Sequence, residues 1–343
     1  MECIYNLSLK ELQEKLSPKG FSSYSAKQIF GWIYKEKIQD FSLMTNIAKN
    51  KRKNLEDIFS FLNFKILKEQ RSKDGTEKYL FQLADQETIE TVLIPEKQRN
   101  TLCVSTQVGC RFNCRFCASK IGGFIRNLNP AEIVNQYLQP SSQNKITNIV
   151  FMGIGEPLDN FKNVVKAIKI LTEPAGINFT KKRISISTCG LSDKIKKIAE
   201  LDLGIKLSIS LHAALDEKRN KLMPVNKIYP LSDLVEAIKY YNHRQKYPPT
   251  FEYILLADFN LGDSDARRLA KLVKTTGAKL NLIPYNSTGT TLRPPDLEKI
   301  DNFKKRLKKE NIIFTLRRER GSDIKAACGQ LRSFSLGDTS DYK

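Results

Sequence analysis

Three cysteines stand four and three residues apart in Cys110-Arg111-Phe112-Asn113-Cys114-Arg115-Phe116-Cys117. Thiols crowded into one short segment of a long chain point to a metal or a cluster, not to a disulfide scaffold, and the odd total of seven cysteines agrees. A structural zinc site needs four ligands, usually as two paired knuckles. No second Cys-x2-Cys exists to pair with Cys114 and Cys117. Three thiolates suit a [4Fe–4S] cluster in which the protein holds three irons and leaves one open for substrate chemistry. Zinc completed by Cys103 or a histidine remains the alternative at this point. A His-rich site is excluded, because His212 and His243 are the only histidines.

Other polar residues fall where such a cluster would need company. Gly155 and Glu156 lie in Met152-Gly153-Ile154-Gly155-Glu156-Pro157, where glycines admit a ligand close to the backbone and a carboxylate can hold an ammonium group. Ser187, the run Ser210-Leu211-His212, and Asn286 each end an expected strand. Taken singly, each has a plainer reading as a strand-end polar residue satisfying backbone groups. Together they would ring one mouth. His212 is assigned to binding and not to proton transfer. His243 reads as surface, Cys189 as a small buried residue, and Cys3 has no role. Cys103 and Cys328, judged by residue type alone, are buried thiols.

These residues must be positioned by regular elements. Residues 1–60 read as a helical accessory domain: Ser8 to Glu11 is a capping box, Ser25 can cap a second helix, and a third covers 47–59. Residues 61–95 read as a β extension with Asp74-Gly75 as a hairpin turn. Residues 96–330 then alternate strand and helix, which favours parallel strands with helical crossovers. Six βα units, with a seventh strand at 312–316, are too few for a closed eight-unit barrel. The expected class is therefore α/β, with the cysteine loop at the C-terminal end of the first strand of the series. The polar tail 331–343 is expected to fray.

The chain has 343 residues, a net charge of +20 and a pI near 9.5. Such a balance attracts polyanions, nucleic acid above all. Basic runs at 181–183, 304–309 and 317–320 could line a phosphate-binding rim around the barrel mouth. No apolar run reaches the roughly 20 residues a bilayer requires, and no secretory signal opens the chain. No membrane association and a cytoplasmic location are the expectations.

The cysteine spacing resembles that of the radical S-adenosylmethionine superfamily. The resemblance implies a partial (βα)6 barrel, a [4Fe–4S] cluster on Cys110, Cys114 and Cys117, and S-adenosylmethionine on the open iron. Phe116 would pack beside the adenine. Gly155, Glu156, Ser187, Ser210, Leu211, His212 and Asn286 would bind the cofactor, and an electron donor such as flavodoxin would be required. Longer strings are similar to the bacterial dual-specificity rRNA and tRNA adenine-C2 methyltransferases. They are Ser72 to Thr76, Glu90 to Pro95, the cysteine region, Gly123 to Leu128, Lys221 to Asn226, and Ala326-Ala327-Cys328-Gly329-Gln330-Leu331. Cys189 and Lys325 depart from the pattern without removing a reacting group.

This second resemblance implies methylation of adenine C2 in 23S rRNA and in tRNA by a monomer. One S-adenosylmethionine methylates Cys328. A second yields the radical that activates the S-methyl group, and a covalent protein–RNA adduct follows. Cys103 resolves the adduct through a disulfide with Cys328, and Glu90 is the expected proton acceptor. Three other readings stand beside it: a related enzyme of adenine C8, a zinc-stabilised RNA-binding module, and a radical enzyme of a small metabolite.

Overall fold

The computed structural model describes residues 1–332, so positions 333–343 of the expected tail lie outside the described residues. The chain begins with β1 (Glu2–Cys3), α1 (Leu9–Leu16), α2 (Ser23–Tyr34), α3 (Lys49–Ile58) and β2 (Phe59–Ser60). The capping box forms as its residue types require: Glu11 N donates to Ser8 Oγ, and Ser8 N donates to Glu11 Oε2 at 2.8 Å. Ser22, not Ser25, caps α2, accepting from Ser25 N at 3.1 Å. Leu12, Leu16, Ile29, Phe30, Ile33 and Leu55 are buried, which gives these helices a common core. Lys166 Nζ donates to Glu11 Oε1 at 2.6 Å and Ala131 N to Asn6 Oδ1 at 2.9 Å, so the helices dock on the next layer.

Next come β3 (Lys65–Arg71), β4 (Glu77–Gln82), β5 (Thr88–Glu96) and β6 (Arg99–Cys103), an antiparallel run. Asp74-Gly75 forms the expected turn, with Gly75 at φ +85°. A small hairpin of β7 (Gln107–Gly109) and β8 (Phe124–Asn127) encloses the cysteine loop. The alternating series follows: α4 (Pro130–Leu138), β9 (Asn148–Phe151), α5 (Phe161–Thr172), β10 (Ile184–Thr188), α6 (Ser192–Ala199) and β11 (Lys206–Ser210). It ends with α7 (Asp216–Leu222), α8 (Leu231–Arg244), β12 (Thr250–Leu255), α9 (Asp263–Thr276), β13 (Lys279–Pro284), α10 (Leu297–Lys309) and β14 (Phe314–Leu316).

Among the described residues ten strands make one mixed sheet in the order β14-β13-β12-β11-β10-β9-β6-β5-β4-β3. From β6 to β14 every pairing is parallel, as the alternation predicts. The apolar faces of the helices cover the outside of this curved sheet. Phe303 of α10 lies 5.8 Å from Tyr253 of β12, nearly parallel to it, and both rings are fully buried. Truncating such a ring costs about 3–5 kcal/mol. The strand ends, where loops are free of the core, hold the candidate site. This is the α/β partial barrel with helical and β additions that the sequence led to expect.

Candidate active site

The cysteine loop leaves β7 at Gly109, whose φ is +71°. A Cβ there would lie 1.8 Å from the carbonyl oxygen of Gly123, so only glycine lets the two hairpin strands approach. Cys110 N donates to that same oxygen at 3.0 Å. Cys110, Cys114 and Cys117 then line one cavity of about 910 Å³, together with Phe116, Gly155, Glu156, Ser187, Ser210 and His212. Burial is the main reason all three thiols titrate high; Cys110 is pushed up to about 12. Coordination to iron would draw off their protons. Among the described residues no three His, Cys, Asp or Glu side chains converge tightly enough to hold one metal ion. A [4Fe–4S] cluster binds each thiolate to its own iron, so three thiols of one loop lining one cavity can hold it. The donor set fits the cluster.

Glu156 shows a second fit. Its carboxylate accepts from Cys189 N at 2.7 Å and Leu158 N at 3.0 Å, yet burial still raises its pKa. No cationic side chain pairs with it among the described residues, so a ligand ammonium would supply the missing charge. Gly155, at φ +97°, turns the chain tightly against Gln107, whose Oε1 accepts from Glu156 N at 2.8 Å. His212 is buried, and burial first, then the nearby Arg219, lowers its pKa to about 3. Its Nδ1 accepts from Ile254 N at 3.1 Å, which leaves Nε2 as the protonated nitrogen. His212 is thus a neutral donor, and its ring meets that of Phe116 edge-on at 4.5 Å.

Cys328 lines this cavity and also an adjoining one of about 640 Å³ that holds Cys103 and Asn286. All the cysteines are free thiols. Cys103 ends β6 opposite Val92 and packs with Ala326 and Leu331. Burial, with the Cys328 sulfur next in weight, pushes its pKa up to about 12. Cys328 arrives on a loop after β14 that is tied down on two sides. Ser72 Oγ donates to Asp323 Oδ1 at 2.6 Å and Gly321 N to Asp74 Oδ2 at 2.9 Å. On the cluster side, Ala118 N donates to Gly329 O at 2.6 Å and Ser119 Oγ to Leu331 O at 2.8 Å.

Three expected site residues lie elsewhere. Leu211 lines neither cavity: Ser210 faces inward, so strand alternation turns Leu211 into the core, where it is fully buried. Asn286 sits in the Cys103 cavity, apart from Glu156 and Ser187, with its buried Oδ1 lacking a protein partner. Glu90 is ion-paired with Lys78 at 2.9 Å and accepts from Arg332 N, behind the Cys328 loop and outside both cavities. Of the basic runs, Arg317, Arg318 and Arg320 reach the Cys328 cavity. Lys181 to Arg183 precede β10 and so sit at the opposite end of the strands, while Lys304 pairs with Asp301. Arg219 is a residue the sequence reading missed. Fully buried, it donates to Cys189 O at 2.7 Å, Ser210 O at 3.1 Å and Asn226 Oδ1 at 2.6 Å, locking two strand-end loops together.

Comparison with known proteins gives this arrangement its relatives. The radical SAM superfamily profile matches residues 104–273, and the ribosomal RNA large subunit methyltransferase N-terminal domain matches residues 4–60. A dual-specificity RNA methyltransferase RlmN from Nitratiruptor sp. is 42% identical, covering 99% of this chain and 100% of its own. Its namesake from Campylobacter fetus is 43% identical over 98% of this chain and 99% of its own.

The chain belongs to the RlmN family of dual-specificity RNA methyltransferases. It is thereby a radical SAM enzyme, for which a [4Fe–4S] cluster and S-adenosylmethionine are the family's cofactors. A solved radical SAM methyltransferase from Sphaerobacter thermophilus superposes with a TM-score of 0.90 at 38% identity. That match covers 96% of this chain and 99% of the other. No helix among the described residues is long and apolar enough to cross a membrane.

Proposed function

We propose that the chain methylates C2 of adenine, in 23S rRNA at the peptidyl transferase centre and in tRNA at the adenine 3′ of the anticodon. The observation that carries this is the placement of Cys328, which lines the cofactor cavity and the Cys103 cavity at once. C2 of adenine is not nucleophilic, so a methyl group must reach it through a carrier, and a thiol between two chambers is such a carrier. Cys110, Cys114 and Cys117 would hold the cluster, with Phe116, Gly155, Glu156, Ser187, Ser210 and His212 around S-adenosylmethionine. Asn286 would reach the cofactor from the adjoining Cys103 cavity, and Leu211 only through its backbone. When bound, these groups supply first a methyl cation equivalent to Cys328 and then, from a second S-adenosylmethionine, the radical that activates the S-methyl carbon.

The chain's own residues do the rest. Cys328 sulfur carries the carbon that bonds to C2, which fixes the RNA to the protein. Cys103 takes the C2 proton or assists its loss. With the odd electron of the adduct given up to the cluster when bound, the Cys103 thiolate attacks the Cys328 sulfur. The bond from that sulfur to the carbon breaks with its electron pair going to the carbon, and the carbon takes up a proton to become the methyl group on C2. Glu90, on the same sheet face as Val92 and so as its partner Cys103, is the proposed proton acceptor. The domain division at residues 60, 95 and 330, a monomeric state, a cytoplasmic location and a flavodoxin-like electron donor complete the reading.

The test is a nucleoside digest of 23S rRNA and tRNA from a strain lacking its own methyltransferase and complemented with this gene. 2-Methyladenosine in both is the expected result. 8-Methyladenosine as the main product would overturn the regiochemistry.

A further inference from the structure

A closed (βα)8 barrel fills its interior with branched apolar side chains. The partial barrel here does not. At the strand starts its inward positions are Thr101, Asn148, Ser185, Lys206, Thr250 and Lys279, all polar, and they border an open groove of about 2400 Å³. The same groove takes in Arg99 and Lys274, with Glu96 as its acidic residue. It shares Ile94, Met152, Arg317, Arg318 and Arg320 with the cavity of Cys103 and Cys328, so the two are continuous.

Lysines at helix C-termini, such as Lys196 and Lys197 of α6, are explained by the helix dipole. Lys206 and Lys279 are not. They sit on strands, face the groove, and have no ion-pair partner among the described residues. Both side chains are exposed at the open lip of the groove, where a backbone phosphate can reach their ammonium groups.

We propose that the RNA reaches Cys328 from the strand-start side of the barrel, with Lys206 and Lys279 contacting backbone phosphates. This rests on the RNA methyltransferase reading and adds the docking face to it. The cofactor cavity opens at the strand ends, so cofactor and RNA approach the methyl-carrying sulfur from opposite sides. The polar lumen lets an unstacked adenine pass, as base-modifying enzymes require. A single strand with its target base turned out is the occupant that fits, because phosphates match the cationic lip and a turned-out base can hydrogen-bond to the polar side chains of the groove.

The experiment uses the full, cluster-loaded chain and a short RNA stem-loop whose loop holds the target adenine. Binding is followed by fluorescence anisotropy across a salt series. For Lys206→Ala/Lys279→Ala the slope of log K against log salt should shrink by about 1.4, two phosphate contacts at ~0.7 each. The KM for RNA should rise more than kcat falls, with iron content unchanged. Lys196→Ala/Lys197→Ala should leave the slope as it is. An unchanged slope in the lumen pair, or an equal loss in both pairs, overturns the proposal. Because binding is read without turnover, a wild-type chain that makes no 2-methyladenosine would refute the proposed function while still showing which face holds the RNA.

Discussion

His212 is held neutral by the fold, and this has a measurable price in acid. Burial depresses its pKa to about 3, against about 6.5 in an unfolded chain. Between those values the unfolded state binds the extra proton, so stability rises with pH across the window and is lost as pH falls below about 6.5. At pH 5 the loss amounts to about 2 kcal/mol. Thermal denaturation of the wild type and of His212→Asn from pH 8 to pH 5 should show the melting temperatures drawing together; parallel curves would contradict a neutral, buried His212. The candidate cluster and cofactor residues were marked in the sequence by local signals, a fixed thiol spacing and a glycine–glutamate turn after a strand. Cys103 and Cys328 instead read as buried thiols until the family resemblance gave them roles. Arg219 was not marked at all, since its partners at Cys189, Ser210 and Asn226 meet only in the folded sheet. Leu211 shows the converse, a position chosen by its neighbours' resemblance whose side chain strand alternation turns away.

The β extension acts as the anchor for the Cys328 loop. Ser72 and Asp74, in the turn between β3 and β4, bind Asp323 and Gly321 across some 250 residues of sequence. Burial alone would raise the Asp74 carboxyl, but hydrogen bonds from Thr76 and Gly321 outweigh it and bring the pKa down to about 2. Replacing Ser72→Ala and Asp323→Ala together should free the loop without touching the cluster. Alkylation of Cys328 should then quicken several-fold and turnover should fall, while iron content stays constant. Equal alkylation rates in variant and wild type would remove the anchoring role. The turn itself was readable from Asp74-Gly75, but its partner was not, because a long-range hydrogen bond leaves no periodic trace. The long helices and the parallel strands followed from their apolar periodicity. Helix α7, Asp-Glu-Lys-Arg-Asn-Lys-Leu, escaped notice because so charged a segment has no such period.

In the whole molecule, cations border the lumen and the Cys328 loop, while Cys110, Cys114, Cys117 and Glu156 occupy the strand-end cavity. Anaerobically reconstituted protein should bind about four irons per chain and be brown. Cys114→Ala should lose most of that iron, and zinc at full activity would sink the cluster. In the proposed reaction Cys328 carries the methyl carbon and Cys103 releases it. Cys103→Ala, expressed with cellular RNA, should therefore stall with RNA covalently attached. After nuclease and trypsin digestion, mass spectrometry should find the Cys328 peptide joined to adenosine through one carbon. Ordinary turnover without an adduct, or an adduct on another cysteine, would contradict it.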